Sequence, residues 1–567
     1  MNIESLFLAP IYLPLLAAAL LVSAKAFGQA GKTMDSMAFL IGLILPAVCL
    51  ALLKPAIIAH QSVETVIGAW DTNLGIHYHF DGLSWLLIAL HLAISIPVFL
   101  YSRSNPSHRE SFSIIFFIQC ASVAATSLTA DLFNLFVCLE VMGVTSYVLI
   151  ASSDEDGSVL ASFTYLLFSA TAMVFFLVGA FGLYRVTGSL SYALISQVKN
   201  SLTGADLIVA QMSLTLIVVS TLLRCAVVPL SGWLVGAHSK APHAVSALLS
   251  GVLIKIPLFA LIRLLLLVTA SERIGSILAW AGGVSAAVGI LLALREVQAK
   301  RLLAYSSVSQ IGYVVAAYGL AIEVGLESER GALLIASSLF YAFCHAVAKA
   351  LLFLSIGTAT DALGTKDLSK ARGATASLKG SGERVPLTTI SYCIALFSIS
   401  ALPPTLGFWG KNMLTYLAKG HGSAYLLTIT SVLTITAYLK LSVLFLPSKR
   451  PVVVMKTQSY GAIHASYLVL GLLLLGGGVF ALPFKNFIIT LLLPLGAVEA
   501  SIMGYSAYSE LAKTFLTLML ALFLTAISTN RYCKRLLAKF PVPKARFADL
   551  FFGYALALSV MAFQLVR

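Results

Sequence analysis

Long apolar stretches alternate with short polar segments along nearly the whole chain. A helix that crosses a membrane needs about 20 predominantly apolar residues. The pattern predicts about sixteen such helices, numbered here in chain order as spans 1 to 16: 5–27, 36–58, 81–101, 111–129, 132–151, 159–185, 209–234, 241–268, 275–295, 300–321, 331–360, 388–417, 423–446, 461–482, 511–529 and 547–566. The shorter segment 486–497 is predicted to lie at the membrane interface. These features indicate an all-α polytopic membrane protein.

The composition of the chain supports this fold class. Hydrophobic residues make up 59% of the 567 residues and charged residues only 11%, and the mean hydropathy is +0.95. Soluble proteins carry about 25% charged residues, so soluble, disordered and disulfide-rich secreted classes are excluded. The seven cysteines show no spacing typical of a metal site. We therefore expect no metal, no cofactor and no catalytic residue within this chain.

The basic residues predict the orientation. The formal net charge is +14, but the lysines and arginines lie mostly in short loops between spans, which argues against nucleic acid as a partner. With the N-terminus outside, the inward loops hold most of them, including the cluster 366–384 and the run 531–546, as the positive-inside rule requires. The first apolar run lacks a basic leader and is expected to be retained as span 1.

Two spans contain proline breaks. Pro229 interrupts span 7, and Pro403 and Pro404 interrupt span 12. Proline removes a helical hydrogen bond and clashes with the preceding turn, and lipid tolerates this only where protein or water satisfies the freed backbone groups. Paired broken helices in corresponding positions are typical of inverted-repeat transporters. The alternative is two ordinary kinks.

Ionisable residues inside the spans are the candidates for function, because each costs roughly 2.5–3.5 kcal/mol at the bilayer centre on insertion scales. They are Glu140, Arg224, Lys255, Arg263, His345, Lys349, Lys411 and Lys440. Arg263 and Lys440 lie nearer span ends and are predicted to snorkel. Glu140 needs a cationic partner to stay ionised, and Arg224 is the candidate. That pair either responds to competing charges or is a static lock between two helices.

The remaining buried groups suit proton transfer. Lysine loses its proton more readily than arginine when it is desolvated, and His345 and Lys349 share one helical face because they are four residues apart. The series Glu140, Arg224, Lys255, His345, Lys349, Lys411 therefore predicts a proton path in the membrane plane. His238 and His243, at the start of span 8, are candidates for proton uptake. The alternative for His345 is a core histidine with satisfied hydrogen bonds.

Six stretches carry a resemblance to a known family: FDGLSW (80–85), DLFNLFVCLEVMGVTSYVLI (131–150), VVPLSGWLVGAHSKAPHAVSALLSGVLIKIPLFALIR (227–263), KRLLAYSSVSQIGY (300–313), HAVAKALLFLSIG (345–357) and LPPTLGFWGKNML (402–414). Over about 80–480 the chain resembles the antiporter-like membrane subunits of respiratory complex I, of energy-converting membrane-bound hydrogenases such as formate hydrogenlyase, and of Mrp-type Na⁺/H⁺ antiporters.

The resemblance implies about 14 core spans, with spans 4–8 and 9–13 as two inverted five-helix repeats and two further helices at the C-terminus. The implied divisions are 1–110 (spans 1–3), 111–268 and 275–446 (the repeats) and 461–567 (C-terminal helices). Glu140, Lys255, His345, Lys349 and Lys411 match the family's charged positions. Two positions depart: Arg224 replaces a lysine, and WLVGAH (233–238) replaces WLPDAH, which puts the uptake role of that stretch in doubt.

Three functions are compatible with these observations. The main reading is a proton-translocating subunit of a redox-driven complex, of complex I or hydrogenase type, with the redox centres in peripheral partners. The second is a subunit of an Mrp-type antiporter that moves H⁺ and Na⁺, and the third is a scaffold that transports nothing. In the first two, the partners are antiporter-like and small hydrophobic membrane subunits, and the location is the cytoplasmic membrane of a bacterium or archaeon.

Overall fold

The computed structural model describes residues 6–28, 31–67, 75–104, 109–267, 272–326, 328–448, 460–492 and 507–528. Predicted span 16 (547–566), the basic run 531–546 and the second half of the predicted interfacial segment lie outside the described residues. Among the described helices, thirteen are long and apolar enough to cross a membrane. The described part of the chain is thus a bundle of membrane-crossing helices, as predicted.

The helices follow the predicted order of the spans. Spans 1 to 8 are Ala9–Ala26, Lys32–Ile58 with a π-turn at Leu40–Ile44, Gly82–Ser102, Arg109–Leu128, Leu132–Ala151, Ser158–Thr187, Gly204–Arg224 with Gly232–Lys240, and His243–Leu265 with a π-turn at Leu249–Leu253. Spans 9 to 15 are Glu272–Arg295, Ala299–Glu323, Glu329–Leu363, Leu387–Ile399 with Leu406–Leu417, Ser423–Phe445, Gly461–Val479 and Ala507–Ser528. Shorter helices are Tyr192–Val198, Ala374–Gly380 and Ala481–Leu492.

Spans 7 and 12 are broken at the predicted prolines. Each ends its first half two residues before an alanine with positive φ, Ala226 at 58° and Ala401 at 56°. The second halves begin at Gly232 and Leu406. Span 7 is longer than predicted, from Gly204 to Lys240, because the non-helical turn adds residues without adding a full helical rise. The two breaks therefore have the same local conformation in the two halves of the bundle.

Span 8 has a break that the sequence analysis missed. The helix widens into the π-turn Leu249–Leu253, loses its regular bonding at Ile254–Lys255 and resumes at Ile256. Pro257 explains this interruption, because its ring clashes with the carbonyl four residues earlier and it donates no hydrogen bond. Lys255 consequently lies at the start of a helix segment in the middle of the span.

The centre of the bundle is formed by spans 8 and 11, whose most apolar windows are completely buried. Span 10 packs against span 11, and spans 9 and 10 lie with their backbones in close contact, which small residues allow. The facing glycines recur every seven residues: Gly275, Gly282 and Gly289 on span 9, and Gly312 and Gly319 on span 10. A Cβ atom on Gly282 would lie 2.3 Å from the backbone nitrogen of Ala316, so no larger residue fits there.

The two ends of the bundle differ. At one end, here called the basic face, loops 240–243, 295–300 and 363–386 meet: Gln298 bridges Asp367, and Lys366 pairs with Glu155. At the other end, here called the hairpin face, strands β1 (Val63–Ile67) and β2 (Ile76–Phe80) form an antiparallel hairpin with Val63 opposite Phe80. Tyr78 of β2 bridges Thr129 between spans 4 and 5, which fixes the hairpin to the bundle.

Candidate functional site

Lys255 is held at the break of span 8. Its side chain is completely buried, and its Nζ donates to the carbonyl oxygen of Ser250, which the π-turn leaves free. The Ser250 hydroxyl lies 2.8 Å from the Ser307 hydroxyl of span 10. The broken helix thus supplies the polar contacts that an ammonium group needs inside a membrane protein.

His345 and Lys349 lie on the same face of span 11, and Lys349 reaches span 10 and the Tyr438 ring of span 13. Lys349 is completely buried and donates to the Leu303 carbonyl at 2.8 Å and to the Ser306 hydroxyl, which in turn lies 2.9 Å from the Tyr438 hydroxyl. His345 is 2% exposed, and its Nε2 has no hydrogen-bond partner among the described residues. A buried ring nitrogen without a partner is typical of a site that binds water.

Lys411 follows the break of span 12. Its side chain is 2% exposed, and its ammonium nitrogen lies 4.9 Å from the centre of the Tyr313 ring. The break itself is tightly packed, since a Cβ on Gly407 would meet the Ser398 carbonyl oxygen at 1.9 Å and one on Gly478 would meet that of Pro404 at 2.0 Å. Packing on both sides therefore fixes the position of Lys411.

The structure brings four of the predicted residues together. His345 is within electrostatic range of Lys255, Lys349 and Lys411, and Lys349 is within range of Lys255. These four residues are called the lysine cluster below. Among the described residues, none of the three lysines has a carboxylate within ion-pair distance. The cluster is therefore a group of like charges surrounded by hydroxyls and carbonyls.

Glu140 and Arg224 form a separate pair. The Arg224 Nη2 lies 2.5 Å from Glu140 Oε1, and its Nη1 donates to the Leu139 carbonyl at 2.8 Å. The Arg224 side chain is 3% exposed, whereas that of Glu140 is 31% exposed. Glu140 sits among exposed apolar residues on one face of span 5, namely Phe133, Val137, Val141, Val144 and Val148. The carboxylate therefore reaches the surface of the subunit inside the membrane, which the sequence did not indicate.

The break in span 7 is satisfied by side chains from within the protein. Trp233 donates from its indole nitrogen to the Leu223 carbonyl at 3.0 Å and stacks on Tyr165 with ring centres 4.1 Å apart. The backbone nitrogen of Val228 donates to the Ser285 hydroxyl at 3.1 Å. These contacts replace the helical bonds that Pro229 interrupts.

The two histidines proposed for uptake lie at different depths. His243 is at the basic face, with its Nε2 3.0 Å from the Asp361 carboxylate. His238 is completely buried and stacks on Phe353 with ring centres 4.6 Å apart. Within the part of the chain that the structure describes, neither of its ring nitrogens has a hydrogen-bond partner. His238 is within electrostatic range of Lys255, Lys300 and Lys349. His238 therefore adjoins the lysine cluster, whereas His243 is 14% exposed and lies at the basic face behind the exposed Asp361 carboxylate.

A model of the family described as NADH:quinone oxidoreductase/Mrp antiporter, TM, matches residues 129–437, more than half of the chain. The chain belongs to this family. The match includes every residue of the lysine cluster and the Glu140–Arg224 pair. The protein is accordingly an antiporter-like subunit of complex I/Mrp-type membrane complexes and an integral, multi-pass membrane protein.

Curated relatives come from both branches of the family. The antiporter-like subunit is 30% identical over 382 residues to the N subunit of NADH-quinone oxidoreductase from Desulforudis audaxviator, an alignment that covers 66% of this chain and 72% of the relative. It is 26% identical over 450 residues to a Na⁺/H⁺ antiporter subunit from Alkalihalophilus pseudofirmus, which covers 77% of this chain and 86% of that protein. Neither branch is favoured by these figures.

Two solved structures share the fold. One is a chain of the Mrp complex from Dietzia sp. DQ12-45-1b, with a TM-score of 0.75, 22% identity, and coverage of 91% of this chain and all of that one. The other belongs to the membrane-bound sulfane sulfur reductase, an archaeal respiratory membrane complex, with a TM-score of 0.76, 23% identity, and coverage of 92% and 100%. The predicted polytopic helical fold is confirmed. Both neighbours work within multi-subunit membrane complexes, which supports other membrane subunits as partners.

The sequence analysis missed two charged residues of this antiporter-like subunit. Lys300, the first residue of predicted span 10, is 2% exposed and donates to the Ala241 carbonyl at 2.6 Å. The available signal was helical spacing, because Lys300, Ala304 and Ser307 fall on one face of span 10 and all are buried. Asp361, the partner of His243, lies near the end of span 11 and carried no comparable signal.

Arg263 and Lys440 have structural partners at opposite ends of the bundle. Arg263 donates to Asp81 at 2.7 Å and to the Ser84 hydroxyl at 2.8 Å, at the hairpin face. Lys440 donates to the carbonyls of Leu294 and Glu296 at 2.7 and 2.6 Å, where a cation suits the end of span 9. Both side chains reach polar groups near the membrane surface, so neither joins the lysine cluster.

The hairpin face carries a row of acidic and histidine side chains. His79 lies 2.7 Å from Glu64 and 3.5 Å from Asp81. Burial by itself would lower the pKa of His79, but the hydrogen bond and charge of Asp81, with help from Glu64, raise it above its usual value. Within the described ranges no group of His, Cys, Asp or Glu is arranged to hold a metal ion.

Proposed function

We propose that this subunit carries protons across the membrane by way of the lysine cluster, as part of a redox-driven complex of complex I or hydrogenase type. The observation that supports this most directly is that His345 lies within electrostatic range of three buried lysines. A static structural role would favour opposite charges beside each ammonium group. A set of like charges is instead suited to sharing a limited number of protons.

The chemistry follows from repulsion between the members of the cluster. In a low-dielectric interior, two neighbouring ammonium groups destabilise each other, so their titrations are coupled. A proton that arrives at one lysine therefore favours proton loss from the next. His345 can accept and donate through its two ring nitrogens, and the hydroxyls of Ser306 and Tyr438 provide hydrogen-bonding steps beside Lys349.

The Glu140–Arg224 pair acts in this proposal through its charge. Arginine stays protonated in essentially any protein environment, so Arg224 does not itself pass a proton on. A charge that approaches the exposed side of Glu140 competes with Arg224 for the carboxylate and releases the guanidinium. Because Glu140 lies among apolar residues at the surface of span 5, a neighbouring membrane subunit is the proposed source of that charge.

An Mrp-type antiporter subunit remains the alternative. It is supported by the similarity to a Na⁺/H⁺ antiporter subunit, which is 26% identical to this chain over 450 residues. In either case we propose a cytoplasmic membrane with the N-terminus outside, because the basic residues of loops 240, 295–301 and 366–384 then face inward.

The test uses everted membrane vesicles from cells that express the chain with its neighbouring genes, energised in turn by NADH, by hydrogen or by an imposed sodium gradient. Proton movement is followed with an acridine dye. NADH or hydrogen as the effective driver supports the redox reading, and sodium alone supports the antiporter. Genes for redox subunits beside this one would point the same way as the first result.

The residue test in the same vesicles compares Lys411→Ala with Arg263→Ala and Lys440→Ala. We expect Lys411→Ala to abolish net transport, whereas the two control variants retain most of it because they lie outside the cluster. Equal losses in all three would contradict the division of buried charges. Normal transport by a variant with both Lys255 and Lys411 replaced by alanine would exclude a transport role for this subunit and support the scaffold function.

A further inference from the structure

An open cleft of about 630 Å³ lies at the basic face, where the ends of spans 9, 10 and 11 meet. Its lining includes Gln298, Thr360, Asp361, Thr365 and Asp367. Polar and charged side chains dominate this set, although the neighbouring spans are apolar. The cleft therefore brings solvent to Asp361 at the basic face.

Asp361 and His243 lie between this cleft and the interior. The two carboxylate oxygens of Asp361 are each 3.0 Å from the Nε2 of His243. The Asp361 side chain is 60% exposed and that of His243 only 14%. The carboxylate of Asp361 is thus in contact with solvent, and the imidazole of His243 lies behind it, mostly shielded from solvent.

Gly357 keeps the imidazole in this place. A Cβ atom at Gly357 would lie 2.3 Å from the Cγ of His243, so the ring occupies the space that a side chain would take. Gly357 and Asp361 are four residues apart on span 11 and therefore share one helical face. The glycine allows His243 to lie against the helix beside the carboxylate.

Lys300 is a buried cation near the Asp361–His243 pair. It is 2% exposed, its Nζ donates to the Ala241 carbonyl two residues before His243, and it is within electrostatic range of Asp361. On its inner side it is within range of His238. His238 is fully buried, has no hydrogen-bond partner for either ring nitrogen among the described residues, and is within electrostatic range of Lys255 and Lys349. Electrostatic interactions thus connect these groups one after another from the cleft to the lysine cluster.

We propose that this cleft is a proton-selective mouth, in which Asp361 and His243 take up protons from the basic face and Lys300 passes them inward while excluding metal cations. The proposal rests on the proposed function. A proton bound by His243 replaces one that Lys300 has given to the free ring nitrogen of His238, so each transfer breaks one N–H bond and forms another. Lys300 therefore has the same net charge before and after the two transfers.

The exclusion of sodium follows from the charge of Lys300. A metal cation must pass the ammonium group as a second positive charge in a region with little water, where repulsion is strong. A proton does not have to move past the ammonium group, because Lys300 releases one proton inward and binds another from His243. Fixed cationic side chains exclude cations from other membrane pores in the same way.

The uptake role is tested with two substitutions and matched controls in the vesicle assay, in the intact complex. We expect Asp361→Asn to slow transport about tenfold or more, as loss of a positioned proton-transfer group does, and Asp367→Asn, in the same cleft but without a histidine partner, to leave it nearly unchanged. Gly357→Ala displaces His243 and should slow transport without removing any titratable group. Its control is Gly236→Ala, where the added Cβ meets no atom within 4 Å.

Sodium selectivity is tested with Lys300→Gln, which keeps a hydrogen-bond donor for the Ala241 carbonyl. We expect sodium added at the basic face to inhibit the transport that remains in this variant more strongly than it inhibits the native subunit. Equal sodium sensitivity would overturn the role of Lys300. If Asp361→Asn and Gly357→Ala both transport normally while Lys411→Ala is inactive, the uptake role of the cleft is refuted. The proposed function would not be affected by that result. Active Lys411→Ala would instead refute the proposed function.

Discussion

Removing the Glu140 carboxylate should uncouple transport and leave the subunit assembled. In Glu140→Ala, the Arg224 guanidinium keeps its hydrogen bond to the Leu139 carbonyl but loses its counter-ion, while its side chain stays 3% exposed. Without the carboxylate, a charge that approaches span 5 can no longer change the interactions of the Arg224 guanidinium. Because the remaining helix contacts are untouched, we expect the complex to copurify in normal amounts.

The cost in stability can be bounded from the geometry. Removing one partner of a buried ion pair costs about 3–5 kcal/mol, whereas replacing both by apolar residues is often close to neutral. Glu140 is 31% exposed, so we take a value at or just below the lower limit of this range, about 2–3 kcal/mol, for Glu140→Ala or Arg224→Met alone. The double variant should then cost about 1 kcal/mol or less, which gives a coupling of a few kcal/mol in a double-mutant cycle.

The two explanations of the pair differ in the double variant. If the pair responds to neighbouring charge, the double variant regains thermal stability in detergent but stays uncoupled in vesicles. If the pair is a static lock, restored stability brings transport back, and that result would refute the gating role. Loss of the whole complex in Glu140→Ala would refute it as well. Arg224→Lys, which keeps the charge, is the positive control.

Two further predictions concern structure away from the lysine cluster. Gly282→Ala should prevent assembly, because its Cβ would lie 2.3 Å from the Ala316 nitrogen. The control is Gly476→Ala, whose Cβ would have no described atom within 4 Å and which should copurify normally. Equal yields of the two variants would contradict the close packing of spans 9 and 10. The pKa of His79 is raised because Asp81 and Glu64 outweigh the effect of burial, so its stabilisation of the hairpin is complete below the unfolded pKa of about 6.5 and is lost as pH rises through the folded value. Protease protection of the hairpin should therefore fall as the pH rises above about 6.5, and His79→Gln should flatten that dependence.

The sequence by itself determined the membrane class, the order of the spans and the breaks at Pro229 and Pro403–Pro404. These features follow from local properties: hydrocarbon accepts only long apolar helices, and proline interrupts a helix wherever it falls inside one. It also identified Lys255, His345, Lys349 and Lys411 as candidates, because a charge inside an apolar span is costly whatever surrounds it.

Only the tertiary structure decided which of these charges meet. It separated the Glu140–Arg224 pair from the lysine cluster and brought Glu140 to the membrane-facing surface of span 5. It buried Lys300, which follows a polar loop in the sequence, and paired Arg263 with Asp81, 182 residues away. The reason is that the cost of a charge depends on its neighbours, and these are set by how each helix is rotated and by which distant helix packs against it.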